Sequence, residues 1–172
     1  SGDTTTDIAS QTVDSQLAQG VNAIIGAASS GVSLTVIDKI TTNGVVQFSP
    51  ANTAPNLTTY EDNGLYFRNA PSDVLQGAVL AGKAIDAGIA NMATIARQDP
   101  YGEGLAAAVV KDFTAAGGNI TSALLYDPAA PSFEAEVAEI VAGAPEAVVV
   151  VGFDESTKLI QEMIKQGAGP DK

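Results

Sequence analysis

The sequence predicts an α/β fold in which open parallel sheets carry helices on both faces. Short apolar runs alternate with segments of helical periodicity along the chain, an order typical of βαβ units. One of these runs, AVVVVG at 147–152, is continuously apolar, as in strands that are buried on both faces. Hydrophobic residues make up 45% of the chain and charged residues 16%, the balance of a protein with a compact core.

The first part of the chain predicts two helices and two strands. Val13 and Leu17 stand one helical turn apart before Gly20, and Val36 and Ile40 repeat this spacing further on. Prolines and asparagines crowd the segment after the second strand, which indicates a long loop. The predicted elements are a helix at 8–19, a strand at 21–26, a helix at 30–42, a strand at 44–49, a loop at 50–64 and a short extended segment at 65–69.

The remainder of the chain predicts an unbroken alternation of helices and strands. Leu105, Val109 and Phe113 share one helical face, and Gly117 marks the end of that helix. The predicted elements are a helix from about 71 to 88, a strand at 92–97, a helix at 102–116, a strand at 119–126, a helix around 133–141, a strand at 147–152 and a last helix that ends at Gly167.

The long loop in the middle of the chain predicts a domain boundary near residue 70. Everything after this loop is a self-contained βαβαβα series, so we expect two domains, residues 1–70 and residues 71–172. The polar start and the abrupt end of the sequence lead us to expect a fragment of a longer protein. The sequence contains no apolar run of about 18 residues, so it predicts no membrane-spanning helix.

Composition excludes several classes of function. The formal net charge is −12, from 20 acidic and 8 basic residues, and this charge opposes binding to nucleic acid. Cysteine and histidine are both absent, which excludes disulfides, thiolate nucleophiles, imidazole-dependent triads and zinc sites of the usual kind. We therefore predict no catalytic residues, no metal site and no cofactor.

The loop GAASSG at 26–31 is the first candidate for chemistry. It has the frame of a phosphate-binding loop, but Val32 stands where the lysine that meets the phosphates is required. Binding of a nucleoside triphosphate is therefore excluded. Either Ser29 or Ser30 can cap the following helix, and the second serine is then free to point outward. The loop predicts either a capped helix start or a ligand contact.

The segment GEGLAA, with Gly102, Gly104 and Ala107, matches a relaxed dinucleotide-binding fingerprint. Four residues separate it from the preceding strand, which is too many for the tight turn that brings the backbone to a pyrophosphate. The alternative function that it predicts is a Rossmann-type NAD-dependent oxidoreductase fragment, and an ordinary helix start is the competing interpretation. The acidic pairs at 61–62 and 154–155 are expected to be solvated surface.

Four motifs in register resemble those of type I periplasmic binding proteins, specifically the branched-chain amino-acid-binding family of ABC importers. The motifs are IIGAASSGVS, VVQFSPANTAPNLT, FRNAPSD and DPYGEGLA, and their order and spacing agree over nearly the whole chain. The resemblance implies two α/β lobes with one amino acid held in the cleft between them. Residues 1–70 are then part of the first lobe and residues 71–172 most of the second.

The resemblance also implies which residues contact the ligand. In the SS motif the second serine, Ser30, hydrogen-bonds the ligand α-carboxylate, and the SPANT motif offers the Ala51 carbonyl and Thr53. Tyr101 closes over the ligand, and the acidic partner of the ligand ammonium is expected beyond Lys172. Asn52 replaces the small residue that is often found at its position, and we expect it to add a side-chain contact. The candidate ligand-binding residues are Ser29, Ser30, Ala51, Asn52, Thr53, Tyr101 and Phe153, the last of which is equally compatible with packing.

A family of this kind implies partners and a location. The expected partners are a small ligand, such as leucine, isoleucine, valine or a related carboxylate or amide, and the membrane subunits of the importer. The expected location is the periplasm or the cell exterior, with a lipid anchor as one form of attachment. We expect no enzymatic activity.

Overall fold

The computed structural model describes residues 6–169 and confirms the α/β fold. The elements are α1 (Thr6–Ala18), β1 (Ala23–Ile25), α2 (Ser30–Thr42), β2 (Val46–Ser49), a short 3-10 turn (Pro55–Thr58), β3 (Tyr66–Arg68), α3 (Asp73–Asp86), β4 (Asn91–Arg97), α4 (Pro100–Ala115), β5 (Asn119–Tyr126), α5 (Glu134–Ala142), β6 (Ala147–Val151) and α6 (Ser156–Lys165). None of the helices between residues 6 and 169 is long and apolar enough to cross a membrane.

The chain divides after Asp73 into two compact units, called unit 1 and unit 2 below. Unit 1 holds a parallel sheet in the order β1-β2-β3, and unit 2 holds a parallel sheet in the order β5-β4-β6. The sequence predicts five strands and leaves 65–69 as a short extended segment; in the structure this segment contributes β3 to the first sheet.

In unit 1, the buried face of the sheet packs against α2. Ile24, Gln47 and Tyr66 are neighbours across the three strands, and all three are buried. Ile24 lies in one cluster with Val36 and Ile40 of α2 and with Ala9 and Val13 of α1. Tyr66 lies in a second cluster with Ile37 of α2. The opposite row contains Ile25 and Phe67, which are 72% and 51% exposed, so helices cover one face of this sheet within the described part of unit 1.

In unit 2, helices cover both faces of the sheet. The central strand β4 is buried along five consecutive residues, 92–96, as is typical of a strand with helices on both faces. The continuously apolar β6 is half-buried along most of its length. Met92 and Ala96 pack against α3 and α4, while Ala93 and Ile95 pack against α5 and α6. Because successive side chains of a strand alternate between faces, these two clusters form the two sides of the sheet.

The carboxyl ends of the strands carry the candidate residues. In parallel α/β sheets these ends lie along one edge, where ligands usually bind. In unit 1 the segments 26–31 and 49–54 follow β1 and β2, and in unit 2 the segments 97–102 and 152–156 follow β4 and β6. The helix predicted from 102 begins earlier, at Pro100, because the Asp99 side chain accepts a hydrogen bond from the Gly102 N–H at 2.8 Å.

Candidate functional site

The two serines at the start of α2 have different positions and different partners. Ser29 is the N-cap, with an extended backbone, and its Oγ accepts a hydrogen bond from the Val32 N–H at 3.5 Å. Ser30 is the first helical residue and is 3% exposed. Its Oγ accepts hydrogen bonds from the N–H groups of Thr53 and Ala54, both at 3.2 Å. The expectation that the second serine points freely outward is therefore wrong, because its oxygen ties two loops together.

The hydrogen bonds of Ser30 leave its hydroxyl proton as the group that can contact a ligand. A hydroxyl can accept two hydrogen bonds and donate one, and the two backbone N–H groups use both acceptor positions. Within residues 6–169, no acceptor is found for the Ser30 proton. The Ser30 hydroxyl is therefore a donor at the N-terminus of α2, where the helix dipole favours negative charge.

Asn52 is a structural link in the same loop. Its side chain is fully buried, and its amide nitrogen donates to the carbonyl oxygens of Ala27 at 3.0 Å and Ala28 at 2.8 Å. Its amide oxygen accepts a hydrogen bond from the Tyr66 hydroxyl at 2.9 Å. The expected ligand contact from this side chain conflicts with these bonds, because it would replace at least one of them.

Two further serines hold the loop, and the sequence interpretation missed both. The Ser49 hydroxyl donates to the Ala27 carbonyl at 2.7 Å and accepts from the Asn52 N–H at 3.1 Å. The Ser33 hydroxyl accepts from the Ala27 N–H at 3.0 Å. The available signal was the repetition of small hydroxyl residues at the strand end and one helical turn after Ser29.

Thr53 and Ala51 lie on the loop that follows β2. The Thr53 carbonyl accepts a hydrogen bond from the Asp73 N–H at 2.8 Å, and Arg68 donates to the Ala54 carbonyl at 2.9 Å. Ala51 is exposed. Burial raises the pKa of Asp73, while Thr53 and the Arg68 charge act in the opposite direction. Ser29, Ser30, Ala51, Asn52 and Thr53 thus share one edge of unit 1.

In unit 2, the structure brings together the two predicted aromatic residues. Tyr101 lies in the first turn of α4, and Phe153 follows β6. Their rings are nearly parallel, with centroids 5.5 Å apart and planes inclined by 8°. Phe153 is 40% exposed, so part of its surface is accessible from solvent in the described structure.

Arg97 completes this aromatic cluster, and the sequence interpretation missed it. Its guanidinium carbon lies 3.9 Å from the centroid of the Phe153 ring, in cation–π geometry. Its Nε lies 2.6 Å from Asp99 Oδ2, and its Nη1 lies 2.7 Å from Glu155 Oε1. Arg97, Asp99 and Glu155 are 14%, 16% and 15% exposed at their side chains, so this is a partly buried network.

Glu155 is the hub of the network. Besides Arg97, its Oε1 accepts hydrogen bonds from the Tyr126 hydroxyl at 3.0 Å and the Phe153 N–H at 3.2 Å. Burial opposes its ionisation, but backbone N–H groups, the Tyr126 hydroxyl and the Arg97 charge together lower the pKa of Glu155. The prediction that 154–155 is a solvated acidic pair is correct for the exposed Asp154 and wrong for Glu155.

The GEGLAA segment forms a capped helix. Gly102, Gly104 and Ala107 all lie within α4, after the Asp99 cap. A Cβ at Gly102 would collide with the carbonyl oxygen of Arg97, so glycine is required here for close packing of the helix start on the strand end. The turn between β4 and α4 consists of residues 98–99 and contains no glycine, so the glycines of this segment do not form the turn of a dinucleotide-binding motif. Between residues 6 and 169, no group of three or more acidic side chains is arranged to hold a metal ion.

Comparisons with known proteins identify relatives of this chain. A family model described as periplasmic binding protein matches residues 1–172. The Leu/Ile/Val-binding protein homolog 1 of Brucella abortus is 32% identical over 155 residues, which cover 87% of this chain and 41% of that protein. The chain therefore spans about two fifths of the length of this curated relative.

Solved structures match the fold. A leucine-binding protein, LivK, from Thermotoga maritima superposes with a TM-score of 0.88 at 23% identity, over 96% of this chain and 48% of that one. A solute-binding protein of an ABC transporter from R. palustris, in complex with 4-hydroxybenzoate, gives a TM-score of 0.85 at 15% identity, over 94% of this chain and 44% of that one. At these identities the likeness establishes the fold alone.

Proposed function

The chain belongs to the periplasmic binding protein family, and from this premise we propose that it is part of the solute-binding component of an ABC importer. Membership confirms the resemblance drawn from the four motifs. The family and the fold are those of solute-binding proteins rather than enzymes, so the oxidoreductase alternative is wrong. The family implies an extracytoplasmic location, and we place the protein in the periplasm or on a lipid anchor outside the membrane, where it delivers its ligand to the membrane subunits.

The ligand in this proposal is a small carboxylate, and the observation that carries it is the bonding of Ser30. The Ser30 oxygen accepts from two N–H donors, so its hydroxyl proton is the group that remains to bind an acceptor. A carboxylate is a strong acceptor, and the N-terminus of α2 stabilises its charge without a buried cation. A neutral hydroxyl donor at this position therefore favours an anion over an amine.

Each unit supplies its own contacts to the ligand in this proposal. Unit 1 is part of the first lobe and binds the carboxylate through Ser30 and the backbone around Thr53. Unit 2 is most of the second lobe and contributes the aromatic surface of Tyr101 and Phe153. This assignment is supported by the stacked geometry of the two rings and by the exposure of Phe153.

The side group of the ligand is the finer part of the proposal. We favour a branched-chain amino acid, because the four motifs belong to that family and because one structural relative is named as a leucine-binding protein. Another relative was solved with 4-hydroxybenzoate. Both compounds have a carboxylate, so the two ligand classes share the group that Ser30 is proposed to bind.

Calorimetric titration of the full-length protein tests the proposal. The panel contains leucine, isoleucine, valine and 4-hydroxybenzoate, each acid paired with its primary amide, and NAD is titrated in parallel. We expect one or more acids to bind, and each to bind more tightly than its amide because Ser30 and the helix dipole favour the anion. Tight binding of NAD with no response to any acid or amide would overturn the proposal.

A further inference from the structure

The surroundings of Arg97 are unusual for a residue that serves only stability. One guanidinium is held by two carboxylates, and all three side chains are largely removed from solvent. Desolvation of charged groups is costly, and apolar residues of similar volume often stabilise a protein as well as a buried ion pair does. Such a network is therefore better explained by the geometry that it imposes on a neighbour.

The neighbour is Phe153. Its ring lies against the Arg97 guanidinium, and its backbone N–H donates to the same Glu155 oxygen that Arg97 binds. Both the ring and the main chain of Phe153 are thus fixed by one ion pair. The ring itself is 40% exposed, so the hydrophobic core alone does not hold it.

We propose that Arg97 is a positioning residue that fixes the Phe153 ring against Tyr101 before the ligand arrives. This proposal rests on the proposed function, in which the two rings contact the ligand. A side chain that is ordered in advance does not lose its conformational freedom on binding, and this raises affinity. The planar guanidinium stacks on the ring while both carboxylates hold its edges, which an ammonium group cannot do.

Fluorine NMR of the ligand-free protein tests the positioning itself. The five phenylalanines are replaced by 4-fluorophenylalanine, and the Phe153 signal is assigned by its loss in Phe153→Leu. We expect Arg97→Gln, and also Arg97→Lys, to move this signal toward that of free 4-fluorophenylalanine. Lys111→Gln removes the same charge from an exposed site on α4 and should leave the signal in place. An unchanged Phe153 signal in Arg97→Gln overturns the proposal.

A double-mutant cycle tests whether the positioning matters for binding. Leucine and 4-hydroxybenzoate are the probes, and Arg97→Gln should weaken the acid that binds by about 3- to 10-fold, the effect of leaving one side chain unordered. The same change should have no effect in the Phe153→Leu background. Equal weakening in both backgrounds overturns the proposal, because Arg97 would then act independently of Phe153.

Two possible failures of these experiments have defined consequences for the proposal. If Arg97→Gln does not fold, Arg97→Lys replaces it in both experiments, because it keeps a positive charge for the two carboxylates but lacks the planar group that stacks on the ring. If neither acid binds to the wild-type protein, the proposed function fails at that point. The fluorine signal in the ligand-free protein then still decides whether Arg97 positions the ring.

Discussion

The carboxyl edges of the two sheets are built from different chemistry. In unit 1 the loops are joined by serine hydroxyls, the Asn52 amide and backbone groups. In unit 2 the edge is held by Arg97 with two carboxylates, and it presents aromatic rings. Apart from Arg68, which donates to the Ala54 carbonyl, the unit 1 edge is therefore joined by neutral hydrogen bonds, whereas the unit 2 edge is held by an ion-pair network.

Because of this difference, we expect the two edges to respond differently to pH. The serine and amide donors of unit 1 keep their protonation across the ordinary pH range, so their own hydrogen bonds to a carboxylate should not depend on pH above the ligand's pKa. The unit 2 edge depends on the ionisation of Glu155, whose pKa is lowered in the folded protein. Selective disruption of each edge can therefore separate their contributions.

The largest effect is expected from Asn52→Ala in unit 1. The change removes two hydrogen bonds to the backbone and deprives the buried Tyr66 hydroxyl of its acceptor. Loss of a buried polar network of this size should lower the free energy of unfolding by about 3 kcal/mol. Urea denaturation of the full-length protein measures it.

A matched control for Asn52 lies on the same loop. Asn56 is exposed, so Asn56→Ala should change the free energy of unfolding by less than about 0.5 kcal/mol. Equal stability of the two variants would show that the amide of Asn52 is replaceable by water. The hydrogen bonds of Asn52 would then not stabilise the unit 1 edge, and the proposed difference between the two edges would be wrong.

At both edges the sequence indicated local features and missed contacts between distant residues, and the reason is the range of the interactions. Ser29 and Ser30 stand in a short motif whose helix start is a local property. Arg97 and Glu155 are 58 residues apart, so no local pattern indicates that they form a pair. The fold was predictable because periodicity and turn residues are also local.

The role of Asn52 shows a second limit of the sequence. Its position next to the expected ligand contacts predicts a polar side chain that faces the ligand. The structure instead turns the amide toward the carbonyl oxygens of Ala27 and Ala28. Buried carbonyl groups need partners, and this requirement becomes visible only when the loop after β1 and the loop after β2 are brought together.

Ser30→Ala should have the second largest effect, and it acts on affinity as well as on the loop contacts to Thr53 and Ala54. The variant removes the proton donor proposed for the ligand carboxylate, so affinity should fall by about 1.5 to 3 kcal/mol, the strength of a charge-assisted hydrogen bond. Calorimetry with the acid that binds best measures this. The control is Ser29→Ala, which loses only the helix cap and should keep most of the affinity. A folded Ser30→Ala variant with wild-type binding would show that the loop is only a capped helix start.

Glu155→Gln tests the charged edge through its dependence on pH. The pKa of Glu155 is lowered by folding, so its ionised form adds stability above the unfolded value of about 4.3, and this contribution is lost as the pH falls through the lowered pKa. At pH 7 the variant should be less stable by about 1 to 2 kcal/mol, because the acceptor atom remains but the charge is lost. The difference should shrink below pH 4.

The control for this pH effect is the neighbouring acid. Asp154 is exposed, so Asp154→Asn should change the free energy of unfolding at pH 7 by less than about 0.5 kcal/mol. A constant difference between Glu155→Gln and wild type from pH 7 to pH 3 would contradict the role of the Glu155 charge. The unit 2 edge would then depend on packing rather than on ionisation.

The smallest effect is expected from Glu134→Ala, on the exposed start of α5. The formal net charge of −12 repels a carboxylate ligand, so loss of one acidic residue could in principle raise affinity. Salt weakens the interactions of exposed charges, so we expect the calorimetric affinity to change by less than about 0.5 kcal/mol in Glu134→Ala. We expect the same limit for Glu136→Ala, where the glutamate is half-buried. A tenfold gain in affinity at ordinary ionic strength would contradict this expectation. It would mean that the long-range electrostatic field governs binding rather than the local hydrogen bonds of unit 1. The difference between the two edges would then not explain ligand binding.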